Sequence, residues 1–133
     1  MKKAYFAISY SNRNKFEKEI ESLKIVCNEL SIELLVFVDT YNFKADQEKE
    51  MMQTAFNEID SSDFLIAELS TKSIGVGIEI GYAYAKHKPI FYLRRIDAEH
   101  STTAGGSSNF TICYTDELDL TKKMKERLKT LKK

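Results

Sequence analysis

Apolar positions along the chain fall into short runs that alternate with helically spaced stripes. The run Ala4-Tyr5-Phe6-Ala7-Ile8 predicts a buried strand. Phe16, Ile20, Leu23, Cys27 and Leu30 then recur at helical spacing, which predicts an amphipathic helix opened by Asn12 or Asn14. Residues 34–38 predict a second strand and residues 41–47 a polar connection. Met52, Ala55, Phe56 and Ile59 mark a second helical face. Residues 64–67 read as a third strand, and residues 73–77 as a glycine turn leading into a helix that runs to about Lys86. Residues 89–93 form a fourth strand, with Pro89 at its first position, where a missing N–H costs least. Residues 97–109 are a polar, glycine-containing loop of a length that commonly carries function. Residues 110–114 give a fifth strand, and Leu120, Met124, Leu128 and Leu131 line a closing helix.

Strand and helix alternate throughout, which implies an α/β architecture: a single doubly wound (Rossmann/flavodoxin-like) domain spanning residues 1–133. About five parallel strands would carry helices on both faces. In such sheets a ligand lies outside the carboxyl ends of the strands. Residues 9–14, 68–77 and 94–109 are therefore the places to look for chemistry.

Composition narrows the choice. The 133 residues are 43% hydrophobic and 30% charged, as in an ordinary soluble globular chain, and unlike a disordered tail, a fibre or a disulfide scaffold. Twenty Lys and Arg balance twenty Asp and Glu, so no strong overall field draws nucleic acid or an anionic membrane. Cys27 and Cys113 match no metal or redox spacing and are expected to be buried thiols of a cytoplasmic protein. Met1-Lys2-Lys3 imitates the charged start of a signal peptide, but the apolar run that follows is shorter than the roughly 7–15 residues required. No window approaches the roughly 20 apolar residues of a membrane span. The basic run from Lys122 to Lys133 reads as the solvated face of the last helix.

The most informative stretch is Ala67-Glu68-Leu69-Ser70-Thr71-Lys72-Ser73-Ile74-Gly75-Val76-Gly77-Ile78-Glu79-Ile80-Gly81. Gly75 and Gly77 permit close backbone approach, and a helix start offers N–H groups to an anion. Spacing alone leaves a phosphate-binding turn and a plain tight turn equally open. Glu79, flanked by Ile78 and Ile80, suits a carboxylate nucleophile or base, or else complements the helix dipole. Glu68 either faces the same mouth or caps a loop. Tyr5 could orient a carboxylate or simply pack in the core. Ser9 and Ser11 are placed as neutral donors to a phosphate, as ordinary loop serines would also be. His100 is a weaker candidate, and His87 carries no assigned chemistry. No cluster has metal spacing, and no cofactor is expected.

The segments Ala67-Glu68-Leu69, Ser73-Ile74-Gly75-Val76-Gly77-Ile78-Glu79-Ile80-Gly81 and Lys88-Pro89-Ile90 resemble the nucleoside 2-deoxyribosyltransferase superfamily. Within it they are most similar to the 2′-deoxynucleoside 5′-phosphate N-hydrolases. The resemblance implies that Glu79 is the nucleophile at the anomeric carbon, oriented by Tyr5. It places Ser73 and Ser9 against a 5′-phosphate, and Gly75 and Gly77 are expected to bind substrate through the close backbone approach that they permit. It also implies a small-molecule nucleotide or nucleoside as partner, and a homodimer in which a loop near His100 and Thr103 completes the neighbouring site.

One position departs from the family. An aspartate that assists departure of the base stands twenty-four residues before the nucleophile, where this chain has Ala55. Two readings follow: hydrolysis of 2′-deoxynucleoside 5′-monophosphates or base exchange by a transferase, against a nucleotide-binding module without turnover. Tyr5-Phe6-Ala7-Ile8-Ser9-Tyr10-Ser11 is also similar to the first strand of TIR domains, which share the architecture and include NAD-cleaving members. The glycine pattern before Glu79 fits the deoxyribosyltransferases better, and the tryptophan common near the TIR glutamate is missing. Residues 39 and 41–43 are expected to govern base preference by their placement after strand two.

Overall fold

The computed structural model of the chain describes residues 1–131; Lys132 and Lys133, the end of the basic run, lie outside the described residues. Five strands, β1 (Lys2–Ala7), β2 (Ile32–Val36), β3 (Phe64–Glu68), β4 (Ile90–Arg95) and β5 (Phe110–Tyr114), form one all-parallel sheet in the order β2-β1-β3-β4-β5. The order reverses between β1 and β3, so the crevice at the carboxyl ends of these two strands is the switch point where such sheets bind ligands.

Helices α1 (Glu17–Glu29) and α6 (Glu117–Leu131) cover one face. Phe6, Ile8, Phe64, Ile66, Phe91, Leu93 and Ile112 meet Ile20, Leu23, Leu120 and Met124 there. Helices α3 (Glu48–Asp60), α4 (Ile74–Ala85) and α5 (Thr102–Ser107) cover the other, where Tyr5, Ala7, Leu65, Ala67, Ile90 and Tyr92 meet Ala55, Ile59, Val76, Ile80 and Ala104. Strand periodicity alone assigns the faces, because successive side chains point to opposite sides. It sends Tyr5 to one face and Glu68 to the other. Burial on both sides explains why the strands read as unbroken apolar runs.

Several predicted boundaries shift. A 3-10 turn, Tyr10–Phe16, precedes α1, so Asn12 and Asn14 do not open that helix. The second strand ends at Val36, and Phe37 begins a single helical turn, α2 (Phe37–Thr40). The expected glycine turn is absent: α4 begins at Ile74, Gly75 and Gly77 are helical, and no described glycine has positive φ. Ser73 supplies the reason, since its hydroxyl oxygen accepts the Val76 N–H at 3.3 Å and caps the helix. Pro89 precedes β4 rather than opening it. The polar loop 97–109 contains α5, capped by Ser101 through the Ala104 N–H at 3.2 Å. Cys27 is buried as expected, whereas Cys113 is only partly so, and both are free thiols.

Candidate active site

Tyr5 sits in the middle of β1, flanked in register by Leu35 of β2 and Leu65 of β3, and is fully buried. Its side chain rises from the sheet between α3 and α4. On α4, Val76, Ile80 and Ala83 pack toward the sheet, and the same side of the helix carries Glu79 inward, only 9% exposed. The Tyr5 hydroxyl donates to Glu79 Oε2.

Burial pushes the Glu79 carboxyl up to about 7, and the hydrogen bond from Tyr5 pulls it back only in part. Near neutral pH this carboxyl is therefore poised between acid and anion, as a nucleophile or base needs. Burial, and then the neighbouring Glu79 charge, push the Tyr5 phenol far above its ordinary value, so Tyr5 keeps its proton and remains a donor.

Beside this pair stand three aromatic rings. Phe37 lies 5.7 Å from Tyr5 between ring centres, and Tyr41 and Phe43 lie 5.0 Å and 6.2 Å from Phe37. The Tyr41 hydroxyl donates to Glu58 Oε2 at 2.5 Å, and Lys3 holds the other oxygen of Glu58 at 2.7 Å. Asp39 is engaged by Arg13 through two bonds of 2.8 Å, so its carboxylate is already paired. The pattern Phe37-x-x-x-Tyr41-x-Phe43 was the signal for this cluster. Phe37 was hidden because its apolar context reads as strand.

A cavity of about 580 Å³ opens on the other flank of α4, between that helix and α5. Ser73, Gly77, Ile80 and Gly81 line one wall and His100, Ser101, Thr103 and Ser107 the other. Gly77 and Gly81 stand two residues before and after Glu79, each about 160° around the helix from it. Tyr5 and Glu79 are not among the lining residues.

The candidate residues thus fall into separate places. Tyr5 and Glu79 touch each other. Ser73, Gly77 and Thr103 share the cavity, where a Cβ on Gly77 would meet open space. Gly75 lies on the exposed face of α4. Ser9 follows β1, its hydroxyl 2.9 Å from that of Ser11. Glu68 turns to the opposite face of the sheet from Tyr5 and caps the following loop, accepting the Ser70 N–H at 2.6 Å. Ala55, 1% exposed, packs with Tyr5 and Ile59 under the cleft. Among the described residues no group of three or more His, Cys, Asp or Glu could hold a metal ion.

The chain is 48% identical over 46 residues to a protein of Syntrophotalea carbinolica named as a candidate 2′-deoxynucleoside 5′-phosphate N-hydrolase. That stretch is 35% of this chain and 32% of the relative, so the match spans about a third of the relative's length. The fold superimposes on a CMP N-glycosidase of Clostridium botulinum with a TM-score of 0.69 at 23% identity, over 92% of this chain and 98% of the other. A 2-deoxyribosyltransferase of Bacillus psychrosaccharolyticus gives 0.69 at 15% identity over 90% of each chain. The sequence profile of the family described as nucleoside 2-deoxyribosyltransferase matches residues 4–130, nearly the whole chain. The protein belongs to the nucleoside 2-deoxyribosyltransferase family, whose members are enzymes acting on nucleosides or nucleotides.

Proposed function

We propose that the protein hydrolyses the N-glycosidic bond of 2′-deoxynucleoside 5′-monophosphates, acting in the cytoplasm, with Glu79 as nucleophile. The observation that carries this reading is the buried Glu79 carboxyl, held by the Tyr5 hydroxyl and poised near neutrality. In the first step a Glu79 oxygen bonds to C1′ of the deoxyribose, and the C1′–N bond breaks with its electron pair leaving on the base. In the second step water attacks C1′, the ester to Glu79 breaks, and the proton released from water neutralises the base. Free base and deoxyribose 5-phosphate result. This is the two-step course of a retaining glycosidase, and no metal or cofactor enters it.

Tyr5 fixes which Glu79 oxygen is free to attack. The phenyl rings of Phe37 and Phe43, with Tyr41, offer a stacking surface for the base. Ser73 at the start of the twelve-residue helix α4, with Ser9 across the crevice, would take the phosphate. The hydroxyls and the positive helix end both favour an anion, and Gly75 and Gly77 leave the backbone uncovered. Thr103 lines one cavity with Ser73 and Gly77 of the same copy, and the homodimer in which residues 100–103 reach the neighbouring site rests on the family resemblance. The exposed Ile74, Ile78 and Tyr84 on α4 give such a dimer an apolar surface.

A second reading, nucleotide binding without turnover, is favoured by Ala55, which leaves the cleft without the family's acid. Chromatography separates the readings. Each deoxynucleoside 5′-monophosphate, its nucleoside and its ribonucleotide are incubated with the wild type and with Glu79→Ala. Base released from the monophosphates by the wild type alone upholds hydrolysis. Release from nucleosides only when an acceptor base is present identifies a transferase. A monophosphate that raises the melting temperature but is never cleaved identifies a binding module.

A further inference from the structure

The loops on either side of the β1/β3 crevice are tied together beneath it by a polar network that does not touch Tyr5 or Glu79. Glu68, 4% exposed at the end of β3, accepts two bonds, one from the Ser70 N–H at 2.6 Å and one from the Tyr114 hydroxyl at 2.7 Å. Ser70 in turn accepts the Arg95 N–H on its hydroxyl oxygen at 2.8 Å. The Arg95 guanidinium grips Glu19 Oε2 at 3.0 and 2.7 Å, donates to the Lys15 carbonyl at 2.6 Å and lies 3.9 Å over the Phe16 ring. Tyr114 also reaches Glu19, at 3.5 Å.

These contacts form one continuous path. It begins at Lys15 and Phe16, where the turn that follows Ser9 ends, and finishes at Ser70, three residues before Ser73. Two carboxylates meet at one phenol, and Glu19 also takes the Arg95 guanidinium. Apolar side chains of similar size would fill the same space at no desolvation cost, so stability alone does not account for the arrangement. A network of this kind instead fixes one geometry, because each member has a single well-bonded position.

We infer that Glu68, Tyr114, Arg95 and Glu19 are positioning residues that set the separation of the Ser9 and Ser73 loops, and thereby the fit of the substrate's 5′-phosphate. This rests on the reading of those two serines as phosphate ligands. The network lies on the opposite face of the sheet from the Tyr5–Glu79 pair, so disturbing it alters phosphate affinity and spares the chemical step.

The test uses Tyr114→Phe, which removes one oxygen, together with Arg95→Lys, Glu68→Ala and Glu68→Gln. Each is assayed with the monophosphate cleaved fastest by the wild type, and with inorganic phosphate as competitive inhibitor. Tyr114→Phe, Arg95→Lys and Glu68→Ala are expected to raise KM and the phosphate Ki together by about tenfold or more, with kcat changed by less than about threefold. Glu68→Gln keeps an acceptor for Ser70 and is expected to restore most of the affinity lost in Glu68→Ala.

A purely structural role would lower the melting temperature and the apparent kcat while leaving KM and Ki unchanged, which overturns the inference. If the wild type releases no base, it is the hydrolase reading that fails. Calorimetric titration of the same variants with a deoxynucleoside monophosphate then decides the positioning role. A loss of affinity of about tenfold upholds it. Equal affinity in all variants, or no binding by the wild type, overturns it.

Discussion

Tyr5 and Glu79, 74 residues apart in sequence, meet in the buried layer between sheet and helix, the phenol donating to the carboxylate. The bond exists because β1 lies between β2 and β3, which buries Tyr5, and because α4, capped by Ser73, carries Glu79 on its inward side. Each residue changes the other's proton affinity. Glu79 raises that of Tyr5, and Tyr5 partly offsets the effect of burial on Glu79.

Replacing Tyr5 by Phe removes a hydrogen bond to a charged acceptor, worth about 1.5–3 kcal/mol. The expected result is a fall in kcat of about 10–100-fold. It also removes the one contact that lowers the Glu79 pKa, so the rising limb of the kcat–pH profile, expected near the Glu79 value of about 7 for the wild type, should move to higher pH in Tyr5→Phe. A profile that keeps its midpoint in the variant would show that Tyr5 does not act through Glu79.

Burial of Glu79 has a cost in stability, and its sign is fixed by linkage. Between 4.5, the ordinary value, and about 7, the folded chain holds a proton that the unfolded chain has released. Stability therefore falls as pH rises through that window and levels off above it. The gap amounts to on the order of 3 kcal/mol. Glu79→Gln lacks this titration, so it should melt about 10 °C above the wild type at pH 8 and with it at pH 4. Calorimetric scans at the two pH values measure the difference.

The sheet was legible in the chain because its strands, covered on both faces, read as apolar runs with connections of helical length. The burial of Glu79 was legible from its apolar neighbours Ile78 and Ile80, of which Ile80 is buried with it and Ile78 is exposed. What the pattern hid has physical causes. Phe37 belongs to a helical turn but is apolar like the strand before it. Gly75 and Gly77 suggested a turn, yet the Ser73 cap carries the helix through both. The partnership of Glu68 with Tyr114 and of Arg95 with Glu19 joins residues 46 and 76 positions apart, and no local spacing encodes such pairs.

Ser73 tests the phosphate subsite. An aspartate there still caps the helix, but it sets a negative charge where the phosphate would lie, and like charges brought together cost several kcal/mol. For Ser73→Asp the KM for monophosphates should rise by about 100-fold or more, with the melting temperature held within a few degrees. Steady-state kinetics with a monophosphate reads this directly. An unchanged KM would remove Ser73 from the subsite.

Ala55 makes a prediction about the leaving group. With Ala55 in place of the family's acid, the proposed mechanism has the C1′–N bond break with charge developing on the base, so the rate should follow the base's acidity. A 5-fluoropyrimidine monophosphate should be cleaved about tenfold or more faster than its parent. Equal rates would point to protonation of the base before or during bond cleavage.

The most direct measurement of the central claim is mass spectrometry of the protein after reaction with a 2′-fluoro analogue of the substrate. The electron-withdrawing fluorine slows the second step and lets the glycosyl-enzyme accumulate. The account predicts one equivalent of the fluorodeoxyribosyl phosphate on the peptide that contains Glu79, and none on Glu79→Gln. Free base produced with no adduct on that peptide, or produced equally by Glu79→Gln, would contradict Glu79 as the nucleophile.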